Sequence, residues 1–372
     1  MLNVLRLSRR ATLAGALGLG LAALGIGASG ALAHSAGAVY TLTNDPAGNA
    51  VKVFKRGGDG SLSAGDEFAT GGTGTGTGLG NQGGLVRDGR RLFAVNPGSD
   101  SISSFRIHHR KLELIDTDAS GGDQPISLAV HRGLLYVLNA GGAGDITGHR
   151  ISRHGALSPL VGSTRPLSGA ATGPAQVEFD PRGATLVVTE KNTNLIDTYE
   201  VDHDTGLASG PNPQPSVGAT PFGFAFDRRG HLIVSEAFGG AADASAVSSY
   251  DVAGGVIAPI SPSVATTETA ACWIVVTKNG RFTYTTNTGS ASISGYRVGR
   301  DGALEPLDAD GETGLTGVGP IDMALTRSSR FLYSLNSGDG TISGFRVHSN
   351  GSLDPIGGAS GVPGAATGLV AQ

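Results

Sequence analysis

The chain has 372 residues, 61 of them Gly, and a formal net charge of −4. Gly at about 16%, against an average near 7%, and only 16% charged residues exclude a coiled coil or helical bundle. The Gly positions show no period of three, which excludes collagen, and 39% apolar residues with a small net charge exclude bulk disorder, leaving a turn-rich, all-β chain with a large core.

Residues 1–33 read as a leader. They hold Arg6, Arg9 and Arg10, no acid, an apolar run from Leu13 to Ile26 and the small-residue box Ala31-Leu32-Ala33. That is the layout of an export signal. SRRATL (8–13) fits a twin-arginine signal, with Thr12 where Phe is usual. The apolar run is short and Gly-rich for a span of about 20 residues, so no stable membrane span is expected after cleavage. The expected location is secreted or periplasmic. Without the leader the net charge is near −7, a poor match to nucleic acid. Cys272 has no intramolecular disulfide partner and reads as a buried, inert thiol.

The mature chain, 34–372, reads as one domain built on repeats. AVYTLTN (38–44) opens it as the second strand of a unit. The Gly-rich stretch 71–84 then joins two units. Strands ending in Asn or Glu recur at LFAVN (92–96), LYVLN (135–139), LVVTE (186–190), LIVSE (232–236), TYTTN (283–287) and LYSLN (332–336). SISSFRI (101–107), DITGHRI (145–151), SISGYRV (292–298) and TISGFRV (341–347) follow four of them. An aromatic slot runs through Phe54, Phe105, His149, Tyr199, Tyr250, Tyr296 and Phe345 in steps averaging about 48.5 residues. That is the size of a four-stranded propeller blade, and the mature length holds seven of them. Short apolar strands such as ISLAV (126–130), QVEFD (176–180), FGFAF (222–226) and IDMAL (321–325) begin the units. Turns such as DPRG (180–183) and KNGR (278–281) suit hairpins. GLVAQ (368–372) resembles an innermost strand, so the two termini should share a blade and close the ring.

The rhythm, the N-G-R-F-x-Y and Y-x-x-N strands and the S-I-S-x-F/Y-R-V strands resemble the seven-bladed propeller lactonases, which include 6-phosphogluconolactonase-like and carboxymuconate-cyclase-like proteins. The resemblance covers the chain from about Ala38 onward and specifies fold more than chemistry.

Hairpin geometry puts the end of each second strand and the start of each first strand on one face, at the channel mouth. One ring there is Asn44, Asn96, Asn139, Glu190, Glu236, Asn287 and Asn336. The other is Gln82, Ser127, Gln176, Phe222, Trp273 and Asp322. Asn at a strand end also caps a turn by bonding its own backbone. Glu190 and Glu236 replace Asn in adjacent blades and are expected to share a volume, where one would serve as general base. Gln176, Asn139 and Asn287 would donate to an oxyanion. Asn96, Asn139, Ser127, Trp273, Asn287, Asp322 and Asn336 are the expected ligand contacts. No cofactor is expected, although the two Glu and neighbouring Asn would suit calcium. The resemblance implies His, Arg and Glu on this face, the His two residues after a lead-in Pro. Ser127, Gln176, Gly223 and Asp322 stand there instead.

Other motifs add little. Gly78-x-Gly80-x-x-Gly83 leads into a strand, so it lacks the helix N-terminus that would hold phosphate. The nine His show no metal spacing. Two readings follow: an exported, monomeric propeller that hydrolyses or binds a small polar ligand in its funnel, or a non-catalytic propeller used for binding or surface interaction.

Overall fold

The computed structural model describes residues 37–109 and 111–372. The leader expected at residues 1–33 falls outside the described residues. Among them no helix is long and apolar enough to cross a membrane.

Seven antiparallel sheets each supply one blade. Blade 1 runs from its inner strand outward as Thr367–Ala371, Gly37–Leu42, Ala50–Arg56 and Leu62–Ala69. The inner strands of blades 2 to 7 are Leu85–Asp88, Pro125–His131, Pro174–Phe179, Pro221–Phe226, Ala271–Val276 and Pro320–Leu325. The last strand pairs with the first through Tyr40–Val370 and Thr41–Leu369. Gln372 N–H then donates to the Ala38 carbonyl at 2.7 Å. The termini close the ring as the repeat pattern requires, and no inner-strand edge is left open to a second chain.

The repeat residues hold blade to blade. All seven residues of the aromatic slot are buried, none more than 2% exposed. Tyr136, Tyr284 and Tyr333, on second strands, donate their hydroxyls to the carbonyls of Gly206, Gly351 and Gly60 at 3.0, 2.7 and 2.7 Å. Each glycine belongs to the outer turn of the next blade. Gly60 and Gly351 adopt φ of +98°, and a Cβ on Gly351 would meet the Phe282 ring at 2.6 Å. Only glycine fits both demands.

Candidate functional site

The inner strands surround the axis. Where they begin, at the strand-end face, the Gly-rich segment crosses that axis. Asn44 starts the path: it donates to the Thr77 carbonyl at 2.7 Å and accepts from Thr75 N–H at 2.9 Å. The segment then touches four blades. Asn81 donates to the Ile126 carbonyl and accepts from Thr367 Oγ1 at 3.0 Å and, through its own carbonyl, from Trp273 Nε1 at 2.7 Å. Gln82 N–H donates to the Ala175 carbonyl at 3.0 Å. Its side chain reaches blade 6, accepting from Ile274 N–H at 3.0 Å and donating to the Ile274 carbonyl at 2.7 Å. Lys191 fastens the segment by donating to the Gly80 and Pro174 carbonyls. Burial lowers its ammonium to about 8. The strand-end mouth is therefore covered by the chain itself.

The lead-in side chains are occupied in the same way. Ser127 Oγ accepts from Val177 N–H of the next blade at 3.1 Å. Gln176 accepts from Phe224 N–H at 2.7 Å and donates to the Phe224 carbonyl at 2.9 Å, one blade further on. The next equivalent is Gly223, which has no side chain to offer, and Gln82 fills its place. A Cβ on Gly223 would lie 2.1 Å from Gln82 Oε1. The register identifies Gly223, rather than Phe222, as the residue matching Gln176. Trp273 is 5% exposed, packs against Phe222 with the rings tilted and their centroids 4.9 Å apart, and donates to the Asn81 carbonyl. These bonds pair edge groups of inner strands that would otherwise face the channel unsatisfied.

Beneath this ceiling lies a cavity of about 540 Å³, lined by Gln82, Gln176, Glu178 and Asp322 within and by Arg87, His131, Asp180 and Arg327 at the opposite, turn face. Glu178 lies deep in the ring yet keeps surface on the cavity; its Oε2 accepts from Gln176 Nε2 at 3.0 Å. Desolvation pushes its carboxyl up to about 8. Asp322 is 3% exposed and accepts from Met323 N–H at 2.7 Å. Burial pushes it up to about 8, the backbone donors of Met323 and Leu369 pulling the other way. Both carboxyls face one volume, and desolvation makes them poised acids or bases near neutrality.

The strand-end ring is buried and used internally. Asn96 donates to Ser103 Oγ at 2.8 Å, Asn139 to Asp145 at 2.8 Å, and Asn287 to Ser292 and Ser294 at 2.9 and 2.8 Å. Asn336 accepts from the Thr341 and Ser343 hydroxyls at 2.9 Å. Each clamps the start of its third strand. The two Glu are also bonded internally, but their longer arms reach other partners. Glu190 accepts from Ser168 N–H at 3.0 Å, Ser168 Oγ at 2.5 Å and Thr193 Oγ1 at 2.6 Å. Glu236 accepts from Gly218 N–H at 2.9 Å, Ser248 Oγ at 2.5 Å and Ser263 Oγ at 2.7 Å. Both are 0% exposed. Asp197, beside Glu190, is pushed up to about 8, first by desolvation and then by Glu190.

The sequence of the chain matches the profile of the lactonase, 7-bladed beta-propeller family over residues 74–367. The chain belongs to that family. No curated protein matches it. Among solved structures, a periplasmic gluconolactonase of Pseudomonas aeruginosa superposes with a TM-score of 0.69 at 16% identity, over 90% of this chain and 99% of the other. A Bacteroides uniformis protein named as a candidate 6-phosphogluconolactonase gives 0.71 at 16% identity, over 89% and 99%. A Lactobacillus plantarum protein gives 0.69 at 18%, over 90% and 99%. At these identities the likeness fixes the fold.

Within this lactonase-family ring, the expectation that Glu190 and Glu236 share a volume is corrected. They bind separate donor sets in separate blades and neither lines the cavity. Their oxygens are already taken by N–H and O–H groups, so they do not fit a calcium ion. Gln176, Gln82 and Asp322 do come together at the cavity. Glu178 and Arg87 were missed. A signal existed for each: Glu178 stands where other inner strands have Ala129, Ala225, Val275 and Ala324, and Arg87 where they have Val130, Phe179, Phe226, Val276 and Leu325. Cys272 is buried and its thiol is pushed up to about 12, which leaves it protonated and unreactive at neutral pH.

Proposed function

We propose that this lactonase-family propeller is exported and admits a small polar, lactone-class ligand to the central cavity from the turn face, with Glu178 as general base. The observation that carries the reading is the cavity that joins Glu178, Asp322 and Gln176 under a ceiling closed by Gln82. Gln176 fixes the Glu178 carboxyl, and above about pH 8 the ionised group would take a proton from a water attacking the lactone carbonyl. Asp322, protonated below that pH, would donate to the developing oxyanion. The second reading, ligand binding without hydrolysis, is favoured by one specific observation: the residues at the family's His position are Ser127, Gln176, Gly223 and Asp322.

The test is a lactone hydrolysis screen on the exported protein from pH 6 to 9.5, with and without calcium. The expected result is a bell-shaped rate profile with its maximum near pH 8, where Glu178 is partly ionised and Asp322 partly protonated, and a rate about 100-fold or more lower in Glu178→Gln. A lactone that raises Tm without turnover would establish the binding reading. Absence of both would overturn the proposal. Export is tested separately: Arg9→Lys combined with Arg10→Lys should block a twin-arginine route, which reads the guanidinium pair as an address.

A further inference from the structure

The turn-face mouth carries two cations, Arg87 and Arg327, that pair with no described residue. Arg87 occupies an inner-strand position that is apolar in five other blades. It is half-buried, its Nε is buried with no hydrogen-bond partner, and its guanidinium forms no ion pair with any described residue. Arg327, in the turn after the inner strand of blade 7, lines the same opening, is exposed and is likewise unpaired. The two repel: desolvation first, then Arg327, lowers the Arg87 guanidinium, while Tyr40 and Asp88 pull it back up. It stays charged regardless. Asp180 and Asp88 are the acids of this rim, and neither reaches ion-pair distance.

A guanidinium withdrawn from water with an unsatisfied donor costs stability unless something compensates it. Nothing among the described residues does. The carboxyls deeper in the cavity are pushed toward their neutral forms and offer no counter-charge at neutral pH. We propose that Arg87 and Arg327 form an oxyanion-binding site at the turn-face mouth, taking a phosphate or carboxylate group. Guanidinium forks match such groups geometrically and are less strongly hydrated than an ammonium. The site rests on the reading that ligands enter at this face. It adds the ligand's class: a small molecule with an anionic group at the mouth and its neutral, polar part in the cavity.

The probes are inorganic phosphate and gluconate, titrated calorimetrically into the purified protein at constant ionic strength. The variants are Arg327→Gln, at an exposed position that should not disturb folding, with Arg87→Gln and Arg87→Lys. The expected result is saturable binding weakened about 10-fold or more by either Gln variant and weakened less by Arg87→Lys. Phosphate alone responding would assign a phosphoryl group, and gluconate alone a carboxylate. Binding unchanged in both Gln variants, or no saturable binding in the parent, would overturn the site. A neutral lactone titrated in parallel separates the two proposals: if it binds and the anions do not, only the anion site fails; if the anions bind and no lactone does, only the cavity reading fails.

Discussion

Gln82 holds both edge groups of Ile274, the N–H at 3.0 Å and the carbonyl at 2.7 Å, although the two residues belong to segments 192 positions apart. An amide side chain here imitates a neighbouring strand. It fits because Gly223 leaves the space empty.

Gly223→Ala tests that fit. The new Cβ would meet Gln82 Oε1 at 2.1 Å and the Cys272 carbonyl at 2.6 Å. Gln82 must leave, and the Ile274 edge groups then lie buried without partners. A loss of about 2–3 kcal/mol is expected by chemical denaturation. Trp273, which donates to the Asn81 carbonyl, should report the loosened segment by a shift in emission. Gln82→Ala should lose stability without the clash. A Gly223→Ala protein with parental stability and emission would refute the closed ceiling.

Stability should fall between about pH 6.5 and 8. Glu178, Asp197 and Asp322 are each raised to about 8. Above the ordinary carboxyl range the unfolded chain releases these protons while the folded chain keeps them, so the folded state binds more protons and rising pH favours unfolding. The contribution is complete below about pH 4 and lost by about pH 8. Burial lowers His131 and His149, which gives the opposite slope, but that slope ends near pH 6.5. Lys191, lowered to about 8, opposes the trend only at its upper edge. Asp322→Asn and Asp197→Asn should each flatten the curve of Tm against pH. A Tm that rises across this window would contradict the buried carboxyls.

The blade count and the ring closure were legible in the sequence because they depend on local periodicity. The aromatic slot recurs in all seven blades and an outer-turn glycine in six of them, and each repetition strengthens the signal. The ceiling was not legible. Gln82 reaches Ile274 through one non-repeating loop, and nothing local to either residue encodes that contact. Glu190 and Glu236 misled for a related reason: a carboxylate at an Asn position suggests chemistry, but hydroxyl donors from neighbouring strands, a hairpin turn and a blade-connecting loop satisfy a longer acceptor as well as a shorter one. The informative departures were Glu178 and Arg87, charged residues at positions apolar in other blades.

Glu236 should therefore behave as a structural acceptor. In Glu236→Gln the amide oxygen can still take Gly218 N–H and Ser248, and the amide nitrogen can donate to Ser263. A change within about 1 kcal/mol is expected, since each of the three partners keeps a hydrogen bond. Glu236→Ala strands three donors and should cost about 2–4 kcal/mol. Neither should alter any hydrolytic rate beyond the effect of unfolding. A 100-fold loss of rate in a folded Glu236→Gln protein would return the catalytic role to this position.

The C-terminal strand offers the strongest test of closure. Thr367–Ala371 pairs with Gly37–Leu42, and Leu369, Val370 and Ala371 form part of the cavity wall. Gln372 adds bonds of its own: its carbonyl accepts from Arg56 Nε at 2.8 Å, and its side chain accepts from the Tyr40 hydroxyl at 3.0 Å. Deleting residues 368–372 removes about 1 kcal/mol for each lost hydrogen bond and about 1.5–3 kcal/mol for burial of Leu369. Together these approach the total stability of about 5–15 kcal/mol typical of a folded domain. The deletion also exposes the edge of the first strand, which invites pairing between chains. The truncated protein should aggregate in size-exclusion chromatography or lose its cooperative melt. Deleting Gln372 alone leaves the strand in place and should cost about 1–3 kcal/mol. A five-residue truncation that stays monodisperse and melts with the parent would mean that the ring does not depend on its terminal strand, and the closure argument would fail.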